Sequence, residues 1–325
     1  MPARSKKSEQ TRVTVGQFYA LHSDSLELKL VAGAEGMSRP IREGSVNRLG
    51  LVLTGFFSYF AWRRVQIVGK SEMSYLRSLE KEERRKRIIS IFEKKIPCVI
   101  FARNIKPPSY ILEEAERHRI PVFVSSIITM RLVNNVTIAL EEDFAPSMSI
   151  HSSMVDIQGV GVLILGESGI GKSECVLGLI ERGYSLISDD ITRIKCMEGK
   201  HLIATSADLT RHYMEVRGIG IINVASIFGA CSIRNSKEIN LVLSLEEWGK
   251  LDEIDRTGLD QRYYELLQIQ VPHVIIPIRS GRDIAGLVEV AALDQKLKSM
   301  GHHSAAEFNQ RLMDQMQGAR PTGET

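Results

Sequence analysis

With 325 residues the chain is long enough for two domains, and its 43% hydrophobic and 25% charged residues are those of an ordinary globular protein. A net charge of +3 is too small to argue for a nucleic-acid partner. Cys98, Cys175, Cys196 and Cys231 show no ligand-like spacing, so neither a zinc site nor a disulfide framework follows, and reduced thiols are expected.

Residues 1–12 are basic and polar with no apolar segment after them, which reads as a flexible tail and not a signal peptide. A small α/β domain is expected over 13–140. Leu49–Phe60 reads as a core helix, interrupted by Thr54 and Ser58 and too short for a membrane span. A cytoplasmic protein without a membrane partner is expected. Val65–Val68, Cys98–Phe101 and Pro121–Val124 read as strands, and Ile111–Arg119 as a helix. Between Ser71 and Lys95, charges of both signs mix with Leu76, Leu79, Ile88, Ile89 and Phe92, the pattern of a solvated amphipathic helix. The turn formers and charges after Glu141 mark a junction, and a second domain is expected over 141–317. Its short β-branched runs, at Leu186–Ile187, Gly220–Val224, Ile239–Leu243, Val274–Ile278 and Leu287–Val290, read as strands of a mixed sheet. An amphipathic helix over Ser304–Met316 and a tail over 318–325 close the chain.

The second domain is organised around one stretch. The apolar run Val160–Leu165 predicts a buried strand. It breaks into Gly166, Glu167, Ser168, Gly169, Ile170, Gly171, Lys172 and Ser173, then continues as a helix with Val176, Leu177 and Ile180 on one face. Strand, G-x-x-x-x-G-K-S, helix is the context a phosphate-binding loop requires. Glycines let backbone N–H groups turn inward, and the positive end of the helix adds to the attraction for an anion. Lys172 supplies a point charge for the terminal phosphates, and the Ser173 hydroxyl is placed to hold magnesium.

Such a loop does not choose its chemistry. The guanine-reading N-K-x-D is absent, as are the H-R-D and D-F-G elements of eukaryotic-type protein kinases. Ser188-Asp189-Asp190 follows one helix downstream. On a strand end the two carboxylates point to opposite faces, so only one faces the nucleotide, and their repulsion is expected to raise one pKa toward a proton-accepting role. Met214–Asn223 places Glu215 and Arg217 before a buried strand, where Glu215 can complete magnesium coordination. Arg256 beside Gly258, and Arg279 and Arg282 around Gly281, put guanidinium groups in expected loops, suited to phosphate oxygens. His151 can donate to a phosphoryl group or shuttle a proton.

Together these motifs resemble those of the HPr kinase/phosphorylase family. The likeness is carried by VDIQGVGVLILGESGIGKSE, the SDD pair, MEVRGIGIINV, DRTGLD and PIRSGRDIAGLVEVAA, and by NRLGLVLTGFFSYF and VQIVGKSE in the first half. The resemblance implies an α/β fold, with a small N-terminal α/β domain and a P-loop catalytic domain similar to phosphoenolpyruvate carboxykinase. It implies a homohexamer that phosphorylates a serine of the phosphocarrier HPr, with ATP or pyrophosphate as donor and Mg2+ as cofactor. The reverse reaction is a phosphorolysis releasing pyrophosphate. By position, Gly166–Ser173 match the nucleotide site, Ser173 and Glu215 the metal ligands, and His151, Lys172, Asp190 and Arg256 catalytic positions. Asp190 matches the proton acceptor of the forward reaction. Pro277, Ile278, Arg279, Ser280, Gly281 and Arg282 match a loop tied to dephosphorylation. The chain departs from the pattern at Ser152, Ile254 and Ser280; serine at 280 leaves φ free where the family's proline fixes it. The rival readings are a P-loop ATPase or kinase with another substrate, and a nucleotide-sensing regulatory module.

Overall fold

Why these runs become strands and helices is visible in a computed structural model of the chain, which describes residues 13–248, 261–279 and 281–318. Ile254, Asp255, Arg256 and Ser280 lie outside the described residues. The chain divides into two units after Pro146.

The first unit runs β1 (Val13–Thr14), α1 (Val15–His22), β2 (Leu28–Ala32), β3 (Pro40–Ile41), β4 (Val46–Arg48), α2 (Gly50–Leu53), β5 (Val65–Val68), α3 (Lys70–Ser78), α4 (Lys81–Phe92), β6 (Val99–Phe101), α5 (Ser109–His118), β7 (Val122–Ser125) and α6 (Thr129–Phe144). Its main sheet has the order β2-β7-β6-β5-β4, with β4 to β7 parallel and β2 antiparallel at one edge. Parallel strands bury both faces, which is why Val65–Val68 are buried without alternation. One face packs Leu53, Leu76, Ile91 and Ala115 from α2 to α5. The other packs Phe18 of α1 and Leu132, Val136 and Leu140 of α6. The expected junction at Glu141 is still helix, because α6 continues to Phe144.

Two expectations for this unit are corrected. Leu49–Phe60 is not one helix: α2 stops at Leu53, and Gly55 (φ 93°) and Tyr59 (φ 62°) turn the chain into the left-handed region. The stretch from Ser71 to Lys95 is two helices, separated at Leu79 and Glu80, both extended. Arg84 stabilises the break by donating Nε to the Leu79 carbonyl at 2.8 Å, satisfying an acceptor that the helix end leaves open.

The second unit runs β8 (Ser147–His151), β9 (Ser153–Ile157), β10 (Val160–Leu165), α7 (Lys172–Glu181), β11 (Ser185–Ser188), β12 (Ile191–Met197), β13 (His201–Ser206), β14 (Tyr213–Val216), β15 (Gly220–Asn223), α8 (Val224–Phe228), β16 (Ser236–Glu238), β17 (Leu241–Glu247), β18 (Arg262–Leu266), β19 (Ile269–Ile278), α9 (Ile284–Ser299) and α10 (Ser304–Gly318). A six-stranded sheet has the order β11-β9-β10-β17-β19-β18, in which β10, β17 and β19 are parallel. Val176 and Leu179 of α7 and Val288 and Ala292 of α9 fill one face with Val162, Ile164 and Leu243. The other face packs Leu163, Val242 and Val271 against Ile194, Leu202 and Ala204 from a second sheet ordered β16-β13-β12-β8. Each fully buried Val, Leu or Ile here contributes roughly 1.5–3 kcal/mol through removal from water.

Two more expectations change. Leu287–Val290 is helix, part of α9, because Ala285, Val288 and Ala292 recur at helical spacing and Asp283 caps the start by accepting from the Gly286 N–H at 3.0 Å. The strand after Gly218 is not buried: in β15, Ile221 is 76% exposed. It belongs to a two-stranded hairpin with β14, of which Met214, Val216 and Ile222 face the core beneath α7. Among the described residues no helix is long and apolar enough to cross a membrane. The C-terminal helix α10 forms as expected.

Candidate active site

Strand direction gathers the site. β10, β17 and β19 are parallel, and β11 runs with them because both it and β10 are antiparallel to β9. Their carboxyl ends therefore share one edge with the start of β9. That edge holds the phosphate loop after Leu165, Asp189 and Asp190 after Ser188, Trp248 just after β17, and Arg279 after Ile278. Open α/β sheets bind ligands at this edge.

The loop adopts the expected form. Gly169 (φ 85°) and Gly171 (φ 103°) hold left-handed conformations that side-chain-bearing residues resist, and Gly171 is the N-cap of α7. Lys172 reaches back across the loop and donates Nζ to the carbonyls of Gly166 at 2.8 Å and Glu167 at 3.0 Å. Glu167, Ser168 and Gly169 are exposed. An ordinary Cβ at Gly169 would lie 3.2 Å from an Arg217 guanidinium nitrogen, so the β14–β15 turn brings a cation to the loop. The sequence places Arg217 next to Glu215 before a strand and does not by itself bring it to the loop.

The two aspartates point apart. Asp189 is buried, with its carboxylate 3.1 Å and 3.3 Å from the Ser173 hydroxyl and 2.6 Å from that of Ser153. Asp190 is exposed, in the left-handed region at φ 66°, and its Oδ1 lies 3.7 Å from His151 Nδ1. The pair forms because β8 and β12 register Ile191 opposite His151, and the Ser152 N–H donates to the Asp190 carbonyl at 3.1 Å. Asp189 has a raised pKa. Its cause is chiefly burial, opposed by hydrogen bonds from Ser153 and Ser173, with repulsion from Asp190 the smallest contribution. Repulsion was the expected cause; desolvation outweighs it because only one of the two carboxylates leaves water.

Glu215 is exposed on β14, cross-strand from Ile221, and its side chain has no hydrogen-bond or ion-pair partner among the described residues. Pro277 and Ile278 are not loop: they end β19, paired with Glu246 and Glu247. The turn begins at Arg279. Gly281 has φ 82°, the Arg282 N–H donates to the Arg279 carbonyl at 3.2 Å, and the Arg282 guanidinium stacks 5.9 Å from the Trp248 ring. Behind it α9 is tied to α7 by Arg182, which bonds Asp283 at 2.6 Å and Glu289 at 3.2 Å.

The donor set suits a hard divalent cation. The Ser173 hydroxyl, with the Asp189 carboxylate beside it, supplies oxygen only, and no cluster of three or more His, Cys, Asp or Glu poised for a metal occurs among the described residues. Few protein ligands, with phosphate and water completing the shell, is the magnesium pattern.

Comparison with known proteins gives the family. Residues 13–140 match the HPr Serine kinase N terminus and residues 142–312 the HPr Serine kinase C-terminal domain. A protein of Bacillus licheniformis named HPr kinase/phosphorylase is 40% identical over 90% of this chain and 94% of its own. Those of Geobacter sulfurreducens and Treponema pallidum, with the same name, are 40% and 41% identical over 92% and 90% of this chain, and 93% and 92% of theirs. The solved HPr(Ser) kinase/phosphatase from Coxiella burnetii aligns at 35% identity and a TM-score of 0.45, covering 50% of this chain and 98% of that one. The protein belongs to the HPr serine kinase family of phosphotransferase enzymes.

Proposed function

We propose that this enzyme transfers a phosphoryl group from ATP or pyrophosphate to a serine of HPr, and that it also runs phosphorolysis of phosphoserine-HPr. The observation that carries the reading is the exposed Asp190–His151 pair at the sheet edge that also presents the phosphate loop. A buried carboxylate could not receive a protein's serine; an exposed one can.

Each residue has a task. Backbone N–H groups of Gly169–Ser173 and the Lys172 ammonium hold the donor's phosphates. Ser173 and Glu215 hold magnesium, which supplies charge neutralisation on those phosphates. Asp190 accepts the serine hydroxyl proton as the serine oxygen bonds to phosphorus and the bond to ADP, or to phosphate when pyrophosphate is the donor, breaks. In reverse, a phosphate oxygen attacks the phosphoserine phosphorus, the serine oxygen leaves and recovers its proton from Asp190, and pyrophosphate forms. His151, 3.7 Å away, orients the carboxylate and carries positive charge toward the phosphoryl group when protonated. Arg279 and Arg282 supply cations for the second phosphate that the reverse reaction needs, and Arg256 is assigned with them on family likeness. Assembly as a homohexamer belongs to the same reading.

Incubation with ATP and HPr is expected to yield phosphoserine on HPr, detected by mass spectrometry. Phosphate with phosphoserine-HPr is expected to yield pyrophosphate. Phosphoserine without pyrophosphate would reduce the enzyme to a kinase, and no phosphoserine at all would reject HPr as substrate.

A further inference from the structure

One polar contact of the second unit has no role in the chemistry above: the Ser153 hydroxyl, fully buried at the start of β9, lies 2.6 Å from Asp189 Oδ1. A buried serine needs a partner, and a backbone carbonyl would serve. Ser153 instead makes the shortest contact Asp189 has, at the length of a charge-assisted O–H···O⁻ bond. Ser173 approaches the same carboxylate only at 3.1 Å and 3.3 Å. The carboxylate is thus anchored by Ser153, and Ser173 leans on it.

A second feature shows that the contact is built. β11 carries one extra residue, Ile187, opposite β9: Leu186 pairs with Val155 while Ser188 pairs with Met154. This bulge brings Asp189 opposite Ser153, 36 positions away in sequence. Bulges re-aim side chains beside active sites. The Ile191 N–H donates to the Asp189 carbonyl at 2.8 Å and fixes the backbone as well.

Ser173 has a single hydroxyl proton. Donating it to Asp189 turns the oxygen lone pairs away from the carboxylate, which is the orientation a metal ligand needs. We infer that Ser153 is a positioning residue for the metal site: its hydroxyl holds Asp189 so that Asp189 orients Ser173 as a ligand. The inference rests on the assignment of magnesium to Ser173. The neighbouring Ser152 is equally buried but bonds Thr192 Oγ1 at 2.8 Å, in a separate hydroxyl chain that continues to Ser188. It supplies an internal comparison.

The test uses Mn2+ as probe, with free ion followed by electron paramagnetic resonance during titration of the full-length enzyme with ADP. Outer-shell partners are worth about 10–100-fold in metal affinity. Ser153, one step further out, is expected at the lower end, so Ser153→Ala weakens Mn2+ about 10-fold while ADP affinity without metal is unchanged. Ser153→Thr, which restores the hydroxyl, recovers most of the loss, and Ser152→Ala leaves Mn2+ affinity as in wild type. Wild-type affinity in Ser153→Ala, or an equal loss in Ser152→Ala, overturns the positioning role. No Mn2+ binding by the wild-type enzyme overturns the metal assignment itself, and this inference with it.

Discussion

Replacing Asp190 by asparagine isolates the proton transfer from everything else the site does. The side chain is 76% exposed, and its ion-pair partner among the described residues is His151. Asparagine matches it in shape and is among the residues that best tolerate the left-handed backbone at φ 66°. Folding and nucleotide binding are therefore expected to survive, since the phosphate loop is held by its own glycines and Lys172. What disappears is the proposed base. General-base catalysis is worth about 10²–10⁴-fold, so a loss of 100-fold, or about 2.7 kcal/mol of barrier, is the minimum expected. Phosphoserine formation on HPr under single-turnover conditions reads the chemical step, and a fluorescent ATP analogue reads binding. Phosphorolysis must fall by a comparable factor, because the group that takes the proton forward returns it in reverse. Asp190→Asn turnover within a few-fold of wild type would refute Asp190 as the proton acceptor, whatever the other residues do.

Lys172→Met removes the ammonium while keeping the length of the side chain. Loss of a charge-assisted bond worth about 1.5–3 kcal/mol predicts nucleotide affinity lower by roughly 10–100-fold in equilibrium titration. Burial pushes the Cys98 and Cys175 thiols up to about 12, so neither forms thiolate near neutral pH. Cys196 is buried too and Cys231 is exposed; alkylation of the native enzyme, mapped by mass spectrometry, is expected at Cys231 first. Burial, and then the nearby Arg262, lower the pKa of His273, whose Nε2 lies 2.8 Å from the Ser244 hydroxyl. The unfolded chain then takes up this proton first, so stability present above about pH 6.5 falls as the pH drops through that value. Melting temperatures across this range should fall less steeply in His273→Gln than in wild type.

The phosphate loop was legible because its chemistry is local. Gly169, Gly171, Lys172 and Ser173 act through backbone torsions and a helix start that lie within eight consecutive residues, so a sequence pattern carries the geometry. The helical period of α10 was legible for the same reason. Short apolar runs were legible only in part: Val65–Val68 and Val274–Ile278 are strand as read. Leu287–Val290 looks like a strand in a four-residue window, and only its packing with Ala285 and Ala292 against the sheet makes it helix. At Leu49–Phe60 the apolar content suggested a helix, but Gly55 and Tyr59 turn the chain, leaving Phe57 and Phe60 packed on the core without helical structure.

The same division holds at the site. From sequence alone follow the pattern of a phosphate-binding loop, the pair of aspartates one helix downstream and the family to which they point. Which aspartate is buried and which is exposed is a tertiary fact. The alternation of a strand end says that Asp189 and Asp190 part ways, but not which way. The bulge at Ile187 and the register of β8 with β12 turn Asp189 inward to Ser153 and Ser173, and leave Asp190 outside with His151. Those partners come from positions 16 to 39 residues away, so burial and hydrogen bonding between distant segments decide the placement that local chemistry leaves open.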